Sequence, residues 1–282
     1  MEALQRHGCV ALLAVTLALG AGACGSSDSG STSTKAKAAS TDAATPPDQG
    51  DMKVVFDTPA NQDDADAKDL LTTTGTARTV ASLINDTVVL PNDTPVVFTS
   101  DDPGGTGPHY DPQAKQINFP YSFVNFIAGT FKQNEPDITD EDLARATDNA
   151  VDWILLHEMG HALVDQLDIP VLAKEEDSAD NIATVLLSLG GREGGDIALS
   201  GAQLFAYLQQ DPSQLTDSAF WDEHSLDLQR ANQTACLVYG SDPKAFADLE
   251  QIIPPERLDR CPNEWQQIST GVEQVLSPYL KS

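Results

Sequence analysis

"WILLHEMGHALVDQLDIPVLAKEEDSADNIA", residues 153–183, sets two histidines four apart ahead of a crowd of carboxylates. At that spacing His157 and His161 project from one face of a helix, near enough to share one ion. They extend an apolar stripe spaced at three and four, Leu143, Ala146, Ala150 and Ile154, so the pair is expected to face inward. Glu158 falls about 100° round the helix, beside a bound metal and not on it. That place suits a base acting on metal-activated water. A hydrolytic zinc site wants three protein ligands and one open position, so a third ligand must come from elsewhere. "DIPVL" reads as a turn, and "AKEEDSADNIATVLL" returns as a second helix with Glu176 and Asp180 again four apart. One carboxylate can bind zinc while the other accepts the free N–H of a ligating histidine. Without the histidines, Glu175, Glu176, Asp177 and Asp180 would read as an acidic first turn complementing the helix dipole.

Working outward, the chain carries a few strands and then many helices, the pattern of an α+β domain. "MKVVFDT" and "TPVVFTS" read as strands, with "ADAKDLLTTTGTARTVASLIND" between them as one helix weakened by its Thr and Gly. "KQINFPY" alternates Ile117, Phe119 and Tyr121 with polar neighbours, and Pro120 near its end suits an edge strand. An edge over Lys115–Tyr121 could pair with an extended peptide. Beyond Tyr121 the chain reads as helical: "YSFVNFIAGTFKQ", then a long helix after the N-cap Thr139, then helices near 174–189, 200–210, 221–239, 243–251 and 262–277. "GGREGGD" reads as a glycine-rich break. The expectation is a mostly helical domain over 52–282 with a small N-terminal β-sheet.

The front of the chain is different. Residues 1–24 combine Arg6, an apolar run from Cys9 to Leu19 and small residues ending at Cys24, a secretory signal too short to span a bilayer as a mature helix. "AGAC" fits a lipobox, which would place a lipid on Cys24 and anchor the protein on the outer face of the cytoplasmic membrane. Ala21-Gly22-Ala23 alternatively fits an ordinary cleavage site and a freely secreted product. Cys9 would leave with the signal, and Cys236 and Cys261 can pair as a disulfide in an exported protein. Residues 25–51 are rich in Ser, Thr, Gly and Ala, the composition of a flexible polar tether. The 16 Lys and Arg against 43 Asp and Glu give a net charge of −27. That excludes nucleic acid, leaves membrane contact to the N-terminal lipid, and favours neutral or basic substrates.

"HEMGH" followed by "EEDSAD" resembles the gluzincin metallopeptidases, and in particular a bacterial metallopeptidase-domain family. The similarity runs from "MKVVF" through "WDEHSLDLQR" and "ACLVYGSDP" to "RCPNEW". The resemblance implies a zincin-like fold, a peptide or protein substrate, Zn2+ on His157, His161 and Glu176, Glu158 as base, and Asp180 behind a ligand. Glu175 is the rival for Glu176, but its partner four residues on is Ala179, which breaks the pattern. Acyl transfer also needs a donor for the oxyanion. His224 in "FWDEHSLDLQR" is one candidate, with a capping role beside Asp222 as the alternative, and neither Arg230 nor His109 receives a role. The competing function is a non-catalytic, zinc-containing scaffold lipoprotein. Structural zinc sites favour four ligands and Cys, whereas no Cys lies near this motif and Glu158 would have no structural task.

Overall fold

Met52, Val54 and Phe56 alternate with the more exposed Lys53 and Val55, and this short run starts the sheet. The structure is a computed structural model that describes residues 45–211, 213 and 215–281. Strands β1 (Met52–Phe56), β2 (Thr94–Thr99), β3 (His109–Asp111) and β4 (Gln116–Pro120) form one sheet in the order β1-β2-β4-β3. β1, β2 and β4 run parallel, and β3 turns back antiparallel on β4. Parallel neighbours need a long crossover, and between β1 and β2 it consists of two helices, α1 (Gln62–Thr74) and α2 (Thr76–Thr87). The single helix expected there is broken at Gly75, whose φ of 71° lets its N–H cap the carbonyl of Leu71.

The expected edge strand is an interior one. β4 lies between β2 and β3, with Ile117 and Phe119 fully buried, and the outer position belongs to the three residues of β3. Pro120 is tolerated because β3 pairs only with residues 116–118, so the proline lies beyond the reach of that ladder. A peptide could not add to β4, so Lys115–Tyr121 does not offer the docking edge expected there.

After the sheet come α3 (Tyr121–Asn134), α4 (Asp140–Gln166), α5 (Glu175–Ser188), α6 (Gly191–Leu208), α7 (Asp227–Ser241), the single turn α8 (Pro255–Leu258) and α9 (Cys261–Leu276). Thr139 caps α4 by accepting from the Asp142 N–H, as its sequence position suggests. From Ala150 to Gly160 every residue of α4 is buried. A helix covered on all sides is the centre of its domain, and here α2, α3, α5 and α6 surround it.

The expected glycine-rich break lies between α5, which ends at Ser188, and α6, but it is shorter than expected, because α6 already begins at Gly191 and runs through Gly194 and Gly195. A Cβ on Gly194 would stand 1.9 Å from the Leu187 carbonyl oxygen, and one on Gly195 would stand 2.2 Å from the Phe246 ring. They serve close packing, and only Gly191 (φ 68°) makes a turn. The helix expected over 221–239 starts later, at Asp227, after a 3₁₀ turn at Asp217–Phe220. The one expected at 243–251 is a 3₁₀ turn, Ala247–Gln251.

Cys236 and Cys261 form a disulfide (S–S 2.01 Å) between α7 and the start of α9. Closing a loop of that length contributes about 3 kcal/mol. The expected signal, the expected lipidation site Cys24 and most of the expected tether lie outside the described residues. The last of the tether, from residue 45, packs on the domain. The Gln49 and Gly50 N–H groups both donate to the Leu90 carbonyl, and Asp48 pairs with Lys281 at 2.7 Å. Backbone pairing, which composition does not report, orders this polar stretch. No helix among the described residues is long and apolar enough to cross a membrane.

Candidate metal centre

Gly160, inside the HEMGH pentad, sets the distance between the two helices that build the site. A Cβ there would lie 3.1 Å from the Ala179 Cα, so α5 crosses α4 almost backbone to backbone. That contact brings the first two turns of α5 over the two histidines. His157 Nε2 lies 3.1 Å and His161 Nε2 3.3 Å from Glu176 Oε2, and the two imidazole nitrogens are 3.2 Å apart. From the loop before α7, His224 Nε2 comes to 3.0 Å from the same oxygen. Three nitrogens thus crowd one carboxylate oxygen, yet Glu176 Oε2 is buried and has no hydrogen-bond partner. The nitrogens aim past it.

Their outer nitrogens explain why. His157 Nδ1 lies 2.7 Å from Asp180 Oδ1, His161 Nδ1 lies 2.8 Å from Glu175 Oε1, and His224 Nδ1 lies 3.3 Å from Asp222 Oδ1. A carboxylate can only accept, so each Nδ1 carries the proton, and in the neutral ring Nε2 is left with a lone pair. Imidazole lone pairs and a carboxylate oxygen converge with no donor among them. A cation between them removes that repulsion, and His157, Glu176 and His224 have their ligand atoms within 4.8 Å of one another. The residues present fit a metal ion of the imidazole-and-carboxylate class.

Without a cation, protons substitute for it. Burial works to lower the His157 pKa, but the Asp180 and Glu176 carboxylates overcome it and hold the ring up at about 9. His161 is raised in the same way by Glu176 and Glu175 against its burial. Burial would raise Glu176, and the three imidazoles instead hold it far below the ordinary carboxylate range. Asp180 is likewise depressed: burial opposes, and Arg230 and His157 prevail.

Arg230 is the residue that no sequence pattern placed. Its Nε and Nη2 each donate to Asp180 at 2.8 Å, and its guanidinium lies 4.0 Å from the Phe205 ring centroid and 5.8 Å from that of Trp153. Two further residues have roles that the sequence does not assign to them. Glu175, the rejected rival of Glu176, orients His161. Lys174 donates to the carbonyls of Asp222 and His224 at 2.9 and 3.0 Å and so pins the His224 loop to the start of α5. No spacing rule could reveal either contact.

Glu158 is buried on α4 next to His157, and among the described residues it has no hydrogen-bond or ion-pair partner. Its charge contributes to holding the His157 pKa up. The five positions expected to meet, His157, His161, Glu176, Asp180 and His224, do meet. His224 does not cap α7, whose N-cap is Leu226, although its N–H donates to Asp222 Oδ1 at 2.9 Å. His109 lies in β3, its ring held by the Gly107 carbonyl and the Asn118 amide, and it takes no part.

Comparison with curated proteins and with solved structures finds no match. A family profile covers nearly the whole folded part, with both helices of the site inside its span. The chain therefore belongs to the family described as "Putative metallopeptidase", whose profile matches residues 56–276.

Proposed function

We propose that the protein is a zinc-dependent peptidase of gluzincin type, exported and anchored through Cys24 outside the cytoplasmic membrane. One observation carries the reading: His157, His161 and Glu176 point at a common centre while the neighbouring Glu158 stays buried without a protein partner. Four atoms placed tetrahedrally at about 2.0–2.1 Å from zinc stand roughly 3.3–3.4 Å apart. The spacings of 3.1, 3.2 and 3.3 Å among these three residues sit close to that edge. A zinc ion held there supplies Lewis acidity toward the scissile carbonyl and makes water a better nucleophile.

The protein's own groups do the rest. Glu158 takes the proton from the attacking water and passes it to the leaving amine. His224, more exposed than the two helix histidines and held through Lys174, donates from Nε2 to the oxyanion in its doubly protonated form, which the Glu176 carboxylate favours by raising its pKa. Asp180 and Glu175 keep the ligand rings in the tautomer that leaves Nε2 free. The test is Glu158→Gln on the purified mature chain. Zinc retained near one per chain, with peptide hydrolysis lost, supports the reading, and full activity without zinc ends it.

A second reading rests on the 3.0 Å between His224 Nε2 and Glu176 Oε2. If His224 is a fourth ligand, the site is closed and the protein is a zinc-stabilised scaffold lipoprotein. His224→Gln separates the two, since loss of zinc points to the scaffold and zinc kept with hydrolysis lost points to the enzyme.

A further inference from the structure

The opposite side of α4 carries a second acidic pair that peptide hydrolysis does not use. Asp148 and Asp152, one helical turn apart, stand roughly 140–180° round the helix from His157 and His161. Asp148 is almost completely buried and Asp152 completely. Asp148 Oδ1 and Oδ2 accept from the hydroxyls of Thr74 and Thr76 at 2.8 and 2.5 Å. Asp152 faces the same Asp148 and Thr76, but the single hydroxyl proton of Thr76 is already given to Asp148. Both Asp152 oxygens are left buried with no hydrogen-bond partner. Among the described residues, no Lys, Arg or His pairs with either aspartate.

A buried carboxylate with two orphaned oxygens beside a second carboxylate is far from balanced. A cation between them, or a proton on one of them, would restore the balance. We propose that Asp148 and Asp152, with the Thr74 and Thr76 hydroxyls, bind a hard divalent cation of the calcium class. Every donor in the set is an oxygen, two of them from carboxylates, which selects calcium over zinc. Access comes from the threonine side, where Thr74 is exposed and Thr76 half-buried while the aspartates close the inner wall. The bound ion would join the α1–α2 break at Gly75 to the central helix, a structural task independent of the peptidase reading.

The competing explanation is a proton shared by the two carboxyls, consistent with burial and the Asp148 charge pushing Asp152 well above the usual range. The experiment uses the zinc-loaded mature chain dialysed against calcium and then against calcium-free buffer, with bound metals counted by mass spectrometry. The expected result is roughly one calcium per chain besides zinc, and a melting temperature several degrees higher with calcium. Asp152→Asn and Asp148→Asn should each weaken calcium binding at least tenfold and leave the zinc content unchanged. If those variants do not fold, titration of the unaltered chain with terbium, displaced by calcium, gives the same answer. No bound calcium and no thermal shift overturn the proposal. A protonated-carboxyl infrared band that Asp152→Asn removes would then identify the shared proton in its place.

Discussion

Arg230 grips both oxygens of Asp180 at 2.8 Å, and Asp180 in turn holds His157 Nδ1 at 2.7 Å. The guanidinium packs over the Phe205 ring, so its fork is fixed before any ligand arrives. A residue of α7 thereby dictates which nitrogen of an α4 histidine carries the proton.

Breaking this relay should weaken the metal site without dismantling the fold. Removing an outer partner of a metal-ligating histidine typically lowers metal affinity 10–100-fold. Asp180→Asn and Arg230→Met are expected in that range by competition against a chromogenic chelator. Arg230→Lys keeps the charge but loses the two-pronged contact, and should fall between them. Wild-type affinity in Arg230→Met would show that the relay does not orient His157.

The site's protons predict its pH dependence. In the metal-free protein His157 titrates at about 9 against an ordinary 6.5, because Asp180 and Glu176 outweigh its burial. Metal binding must displace that proton. Apparent zinc affinity should therefore climb up to about tenfold per pH unit per displaced proton from near neutrality and level off near pH 9. The stability of the metal-free chain runs the other way. A raised histidine pKa stabilises fully below 6.5 and loses that contribution as pH rises through about 9, so the metal-free melting temperature should drop across this window. A zinc affinity flat from pH 7 to 9 would contradict the geometry.

The close approach of α4 and α5 can be tested at one atom. At Gly160 even a methyl group meets the Ala179 backbone at 3.1 Å, and backbone cannot rotate away. Gly160→Ala should cost about 1–3 kcal/mol as overpacking and push Glu176 outward, lowering metal affinity as well. Gly160→Val should do more of both. A denaturant series paired with metal titration separates the two effects.

These residues also show what a linear chain reveals. His157, His161, Glu176 and Asp180 are readable because each pair follows the repeat of a single helix. Glu175 was set aside for lacking a partner four residues on, although at the first turn of α5 neighbouring side chains fan about 100° apart. One reaches the ion centre and the other the back of His161. Arg230 meets Asp180 across 50 positions, a contact that no local period encodes. The run at Gln116–Pro120 looks like an edge in sequence because its outer neighbour, β3, is three residues long and embedded in a Pro- and Gly-rich loop. Gly194 and Gly195 look like breakers in sequence, yet tertiary packing uses them inside a helix.

Lys174 yields the last prediction, because it acts on His224 only through backbone. Its ammonium bridges the Asp222 and His224 carbonyls, while the imidazole itself meets Asp222 at 3.3 Å and Glu176 at 3.0 Å. If His224 is the oxyanion donor, His224→Gln should keep zinc and lower kcat by about 10²–10³. Lys174→Met should retain the donor but let its loop wander, giving a smaller fall in kcat with little change in zinc content. Lys174→Arg can restore a donor to both carbonyls and should recover part of the rate. A Lys174→Met enzyme with wild-type kcat would mean that the loop is held by other contacts, and that the ammonium is only a surface bridge.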